Sequence, residues 1–196
     1  GISTRTVNII EAEVQPFDTG VTGIVFTDGT KYIVPSTDTT FSNDTMAIAY
    51  SVTEKTQNEV YRIQIGDAIT HIGRLQIDGL HTMTLEYRTL SSPVTLTSQA
   101  LQGSNGLTDI KLQDDTILGG SRCFSECINL LTLTLPASLT TTTWYLCASS
   151  TSLTSVILPA GCGIDGGTFN GCSNLTTIVI GNTTYTAPYQ PPITAG

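Results

Sequence analysis

The sequence predicts a mainly β fold: a solenoid of about six short coils with a small β-rich N-terminal cap. Three observations lead to it. An aliphatic residue is followed three and five places later by two more at Val60/Ile63/Ile65, Leu80/Met83/Leu85, Leu107/Ile110/Leu112, Leu130/Leu133/Leu135, Leu153/Val156/Leu158 and Leu175/Ile178/Ile180. These six blocks recur at spacings of 20, 27, 23, 23 and 22 residues. Each block ends in the apolar/polar alternation of a short strand, so every coil offers an apolar side that it buries only by stacking on its neighbours.

The first 59 residues lack this period and read as a cap over the first coil, whose strand edge and core would otherwise be exposed. Arg5 to Val14 is rich in β-branched residues. Gly23 to Val34 reads as a hairpin turning at Asp28-Gly29. Pro35 to Asp44 reads as a loop, Met46 to Val52 as a further strand, and Thr53 to Glu59 as a polar connector. The repeats run from 60 to 180. After each strand comes a turn, often with Gly or Pro, then a return segment: Phe124-Ser-Glu-Cys127-Ile-Asn-Leu130, Cys147-Ala-Ser-Ser150-Thr-Ser-Leu153 and Phe169-Asn-Gly-Cys172-Ser-Asn-Leu175. Their spacing of three suits a helical or 3₁₀ turn facing inward. Residues 181–196, with Pro188, Pro191 and Pro192, cannot form another coil; this tail either wraps the last strand edge or links to something further on.

The pattern Phe-x-x-Cys-x-x-Leu-x-x-Ile-x-Ile/Leu-Pro, with Ile69-Thr-His-Ile72-Gly73 in the first coil, resembles the BspA-like leucine-rich repeats of bacterial surface proteins and of some phage structural proteins. The resemblance covers roughly 60 to 180 and is closest over 107 to 180. Over 60 to 106 the return segment lacks the Phe and Cys and offers Ile77, Leu80, Leu101 and Ser104. It implies a secreted or surface-displayed binding role and no enzymatic activity.

Composition bounds the function. Charged residues make up only 12 % of the 196 residues, about half the ~25 % usual for soluble domains, so hydroxyls and amides dominate the surface. A net charge of −8 argues against nucleic acid, which requires clustered Lys and Arg. No run approaches the ~18–20 apolar residues that cross a bilayer, so no membrane insertion is expected. The chain begins with Gly1, not Met, and export with a signal or anchor already removed is the expectation.

Chemistry-bearing residues are sparse. The five cysteines, Cys123, Cys127, Cys147, Cys162 and Cys172, contain no CxxC pair and no His among them, which speaks against zinc. Cys127 and Cys172 stand two coils apart, ~10 Å at ~4.8 Å per coil, beyond disulfide reach. Buried free thiols are expected, with a Cys123–Cys147 link as the alternative. His71 and His81 lie in no nucleophile motif. Asp109, Asp114 and Asp115 lack the DxDxDG pattern of a calcium loop. Gly119-Gly120 and Gly166-Gly167 are expected at turns needing positive φ, and neither precedes the Lys-Ser/Thr of a phosphate loop. The expectation is therefore no catalytic residue, no metal and no cofactor.

Strand residues between the inward aliphatics should point outward. In order, the central ones are Gln64, Thr84, Lys111, Thr134, Ile157 and Val179, becoming less polar toward the C-terminus. From Cys127 onward, Asp165 is the only charged residue. The expected partner-binding residues are Lys111, Thr134, Ile157 and Val179 on this ladder, with Trp144 and Tyr145 as a second choice. The partner would be a protein or glycan ligand, at a cell surface or extracellularly. The alternative is a structural subunit of a virion or surface fibre, a homo-oligomer that self-associates through its uncharged C-terminal half.

Overall fold

A computed structural model describes residues 17–78, 83–87, 93–110 and 112–187. The expected strand over Arg5 to Val14, His81, Lys111 and the end of the tail lie outside these residues. One side of the solenoid is built from parallel strands that overlap the aliphatic blocks: β4 (Val60–Ile65), β6 (Met83–Tyr87), β8 (Leu107–Ile110), β10 (Thr132–Thr134), β11 (Ser155–Leu158) and β12 (Thr177–Ile180). They form two groups of three. Strands β4, β6 and β8 belong to a five-stranded sheet, β10 to β12 to a four-stranded one. At the junction the described hydrogen bond runs from the Leu131 N–H to the Thr108 carbonyl, 3.2 Å.

A second side consists of the two-residue strands β3 (Thr40–Phe41), β5 (His71–Ile72), β7 (Thr95–Leu96) and β9 (Ile117–Leu118), again parallel and in that order. The isolated bridge Thr141–Gly163 lies further along the chain. The return segments make the third side. From the second coil onward each is a run of i→i+3 turns, for example Ser125 N–H to Arg122 O, Ala148 N–H to Tyr145 O and Ser150 N–H to Cys147 O, whereas residues 73–78 of the first coil carry no such turn. Successive segments are tied across coils by Leu101 N–H to Cys123 O, Phe124 N–H to Leu146 O and Cys147 N–H to Thr168 O, at 2.8–2.9 Å. Apolar residues from all three sides, such as Ile63, Leu133, Val156 and Ile178, then Ile72 and Leu96, then Leu75, Leu101 and Phe124, share one continuous buried core.

Left-handed backbone recurs in two columns. Gln99, Arg122, Tyr145 and Gly167 have φ of 62, 59, 54 and 74°, and Gly103, Glu126, Ser149 and Gly171 have 73, 61, 61 and 76°. Most are not glycine, so the stacking above and below holds a conformation that L residues avoid. The glycine pairs divide differently from expectation. Gly167 does adopt positive φ, whereas Gly119 and Gly120 do not; they are small because a Cβ would come within 2.7 Å of Thr95 and Ser98 in the preceding coil.

One column, buried at Ser104, Cys127 and Ser150 and half-buried at Cys172, alternates chemistry. Ser104, Cys127, Ser150 and Cys172 each donate to a carbonyl of the preceding coil: Leu75 at 2.8 Å, Leu101 at 3.0 Å, Phe124 at 2.7 Å and Cys147 at 3.0 Å. Ser104 and Ser150 also accept, from the N–H of Ile77 and of Cys127. Thiol and hydroxyl do the same work. Ser150→Ala should therefore destabilise by about 1–3 kcal/mol for each buried group left unpaired, while Ser150→Cys should retain most of the stability; urea unfolding of the two variants checks this.

The N-terminal region contains the predicted hairpin, β1 (Gly23–Phe26) with β2 (Lys31–Ile33), and β1 pairs antiparallel to β4. Asp28 in its turn accepts from Lys55 Nζ and from Thr30 N–H, which lowers its carboxyl to about 2. The expected strand at Met46 to Val52 is instead part of the α-helix α1 (Asn43–Thr53). Nearly every side chain in Met46-Ala-Ile-Ala-Tyr-Ser-Val52 is apolar, so alternation and the 3.6 period are both satisfied there. Packing decides between them. Met46, Ala49 and Tyr50 turn inward, Ile48 and Val52 are left 51 % and 66 % exposed, and Ser42 caps the start in a box with Thr45. Beyond β12, the strand β13 (Thr183–Thr186) folds back antiparallel along the last rung, and Tyr185 packs on the core.

Candidate functional site

The outer face of β10 to β13 is set by register. Thr132, Ser155 and Thr177 stand side by side, and so do Thr134, Ile157 and Val179. Opposite Thr177 and Val179, β13 adds Thr186 and Thr184. With strands ~4.8 Å apart and alternate residues ~6.6 Å apart, these side chains form two uncharged rows. Their partners in the opposite direction, Leu133, Val156 and Ile178, are buried. Ile157, between Thr134 and Val179, is 44 % exposed, Thr134 is exposed, and Val179 is half-buried beside Thr184.

The outward reading fails at the first coil. Gln64 is fully buried, because residues 17–22 cross the outside of β4 and its Nε2 donates to the carbonyls of Asp18 and Val21 at 2.9 and 3.0 Å. This strap is held by Thr22 Oγ1, which accepts from Gly66 N–H, and by Phe17, whose ring lies on Gly23 and under Lys31. Among the described residues the open part of the ladder therefore lies toward the C-terminal end.

Trp144 and Tyr145 divide between exposure and packing. Tyr145 is half-buried, with the Arg122 guanidinium 4.7 Å from its ring centroid on one side and Gly167 on the other, where a Cβ would come within 2.7 Å of the ring. Trp144 meets Tyr145 edge-on at 6.3 Å and is 62 % exposed.

The repeat phase, the three-sided coil and the buried Phe/Cys/Leu returns decide the family when set beside sequence comparison: the BspA type leucine rich repeat region (6 copies) matches residues 81–190. The chain belongs to this family. A leucine-rich repeat protein from Bacteroides ovatus ATCC 8483 aligns with TM-score 0.45 and 22 % identity over 61 % of this chain and 37 % of its own. A leucine rich cell surface protein from Faecalibacterium prausnitzii A2-165 aligns with TM-score 0.42 and 16 % identity over 83 % of this chain and 38 % of its own. The chain thus spans less than two-fifths of the length of either structure. No curated protein matches it.

Within the BspA-type repeats the cysteines are placed for packing. All five cysteines are free, and burial pushes every thiol up, Cys123 and Cys172 to about 11 and Cys127 to about 12. His71 Nδ1 lies 2.9 Å from the Thr70 hydroxyl at the exposed surface. Among the described residues no three His, Cys, Asp or Glu converge as metal ligands. A recess of about 240 Å³ between α1 and the first coil is lined by Asn43, Met46, Tyr50, Gln57, Gln76 and Asp78. Burial and the Asp78 charge raise the Tyr50 phenol to about 12. This recess is smaller than the roughly 300–1,000 Å³ of drug-sized ligand sites.

Sequence reasoning singled out Ile157, Val179 and Trp144 but not Thr184 and Thr186, which stand on the same face, nor Arg122, which braces Tyr145. The alternation Thr184-Tyr185-Thr186 was the available signal for β13. For Arg122 there was only its place one repeat before Tyr145.

Proposed function

We propose that this chain is a non-catalytic interaction module, displayed extracellularly or at a cell surface, that binds a protein partner through the outer face of β10 to β13. The observation that carries this reading is the register of that face: Ile157 and Val179 form an apolar centre inside a frame of Thr and Ser hydroxyls, without a charge. An apolar centre with a polar rim is the anatomy of a protein interface. The buried thiols of Cys123 and Cys127 fit a packing role, since thiols raised to about 11 and 12 stay protonated at neutral pH.

The test is binding to an array of extracellular proteins and glycans, with the intact chain and with Ile157→Asp/Val179→Asp. The intact chain should be a monomer by light scattering and should select a protein target. The double variant, still folded by circular dichroism, should lose at least about thirtyfold in affinity, the effect of removing a hot spot of ~2 kcal/mol. Equal binding by both proteins overturns the reading. A different result favours the alternative of a structural subunit: a stable oligomer of the intact chain that the double variant dissolves. That alternative is supported by the charge-poor run from Cys127 onward.

A further inference from the structure

Trp144 is the single tryptophan of the chain, and nothing in the repeat calls for it. The repeat places Ser98, Ser121 and Gly166 at the same position in neighbouring coils, so the stack forms without an aromatic there. A large apolar side chain left 62 % exposed, where small residues satisfy the fold, is free to serve a ligand.

The ring is also held in place. Trp144 abuts the edge of Tyr145 at an interplanar angle of 86°, and Tyr145 is itself fixed between the Arg122 guanidinium and Gly167. Tyr145 belongs to a left-handed column, so its backbone is braced by the coils on both sides. In the following coil Gly166 has nothing within 4 Å of where a Cβ would stand, which leaves open space on the side of Trp144 facing that coil. Beside this opening is Asp165, the only carboxylate after Glu126, with Oδ1 accepting from Gly166 N–H at 2.6 Å and its backbone N–H bound to Thr142 Oγ1 at 2.8 Å. At one corner of the solenoid the exposed Trp144 ring is thus neighboured across the coil step by Gly166 and Asp165, whose backbone N–H is tied to Thr142 two residues before the tryptophan.

We propose that this corner binds a neutral pyranose ring of a saccharide, its apolar C–H face stacked on Trp144 and its hydroxyls donating to Asp165. The surroundings favour a sugar over a protein. A protein hot spot lies in a wide, water-excluding ring of further contacts, whereas the positions flanking Trp144 across the coils are Ser121 and Gly166, and the chain before it is Thr140 to Thr143. A single ring with a polar perimeter matches an isolated aromatic with polar neighbours. The carboxylate accepts hydroxyl donors as charge-assisted hydrogen bonds. The small contact area places the affinity at about millimolar.

This site is separate from the β10 to β13 face, so the two readings stand or fall independently. The experiment is titration of the intact chain with the methyl glycosides of glucose, galactose, mannose and N-acetylglucosamine, read by the emission of Trp144 itself. At least one should give a saturable shift or quench. Trp144→Ala, folded by circular dichroism and read by saturation-transfer NMR, should abolish binding; Trp144→Phe should restore part of it. Asp165→Asn should weaken binding about tenfold, and Ile157→Asp/Val179→Asp should leave it unchanged. No saturable response to any of the four glycosides overturns the proposal. So does unchanged binding in Trp144→Ala, or an emission response confined to protein targets.

Discussion

Gly66→Ala should destabilise the protein by about 3 kcal/mol or more. A Cβ at this position would stand 2.1 Å from the Gly20 carbonyl oxygen and 2.5 Å from carbonyl carbons of Gly20 and Val21, all backbone atoms that no rotamer change can move. The strap must lift by roughly an ångström. Overpacking of this kind alone costs about 1–3 kcal/mol. Lifting also breaks what the strap carries: Asp67 N–H to Gly20 O at 2.9 Å, Gly66 N–H to Thr22 Oγ1 at 2.8 Å, and both Gln64 amide bonds. Each buried group left unpaired adds about 1–3 kcal/mol. Urea unfolding measures the loss, and limited proteolysis should show earlier cleavage around residues 17–22. A change within about 0.5 kcal/mol, the range of an ordinary surface substitution, would show that the strap is not fastened as described.

A loss of about 3–5 kcal/mol is expected for Phe124→Ala, the usual range for removing a buried phenylalanine. Phe124 is completely buried, its N–H bonds Leu146 O, and its carbonyl accepts from Ser150. It also sits in the return segment between β8 and β10, where the strand ladder passes from one sheet to the next. In a repeat protein, stability is close to a sum of coil and nearest-neighbour terms. A cavity at this junction should weaken coupling as well as stability. The expected record is a broadened or two-step thermal transition where the parent unfolds in one. A single sharp transition with the same midpoint would contradict the junction's importance.

What the sequence revealed and what it hid follow from the range of each interaction. The rungs could be read because every coil repeats the same inward triplet, and the Asp28-Gly29 hairpin because its turn is local. The helix over Asn43–Thr53 was hidden by a segment apolar at almost every position, whose period only the core could select. Gln64 looked outward by strand parity; its burial depends on a crossing by residues more than 40 positions earlier. Ile157 and Trp144 could be found as exceptions to a pattern, a hydrophobe on a polar row and an aromatic where other coils carry Ser or Gly. Arg122 could not, because a cation is unremarkable in sequence until the fold lays it on Tyr145.

The two left-handed columns also govern how such a molecule can change over time. Gln99, Arg122, Tyr145 and Gly167 are 23, 23 and 22 residues apart, and Gly103, Glu126, Ser149 and Gly171 repeat those intervals. Loss or gain of one residue inside a return segment would put a left-handed residue above a right-handed one and break the carbonyl-to-amide ties on both sides. Loss or gain of a whole coil keeps every tie in phase. The length of the array is therefore quantised: whole coils can be added or lost in phase, while single-residue insertions are confined to the corners between sides, where exposed side chains such as Trp144 are free to diverge.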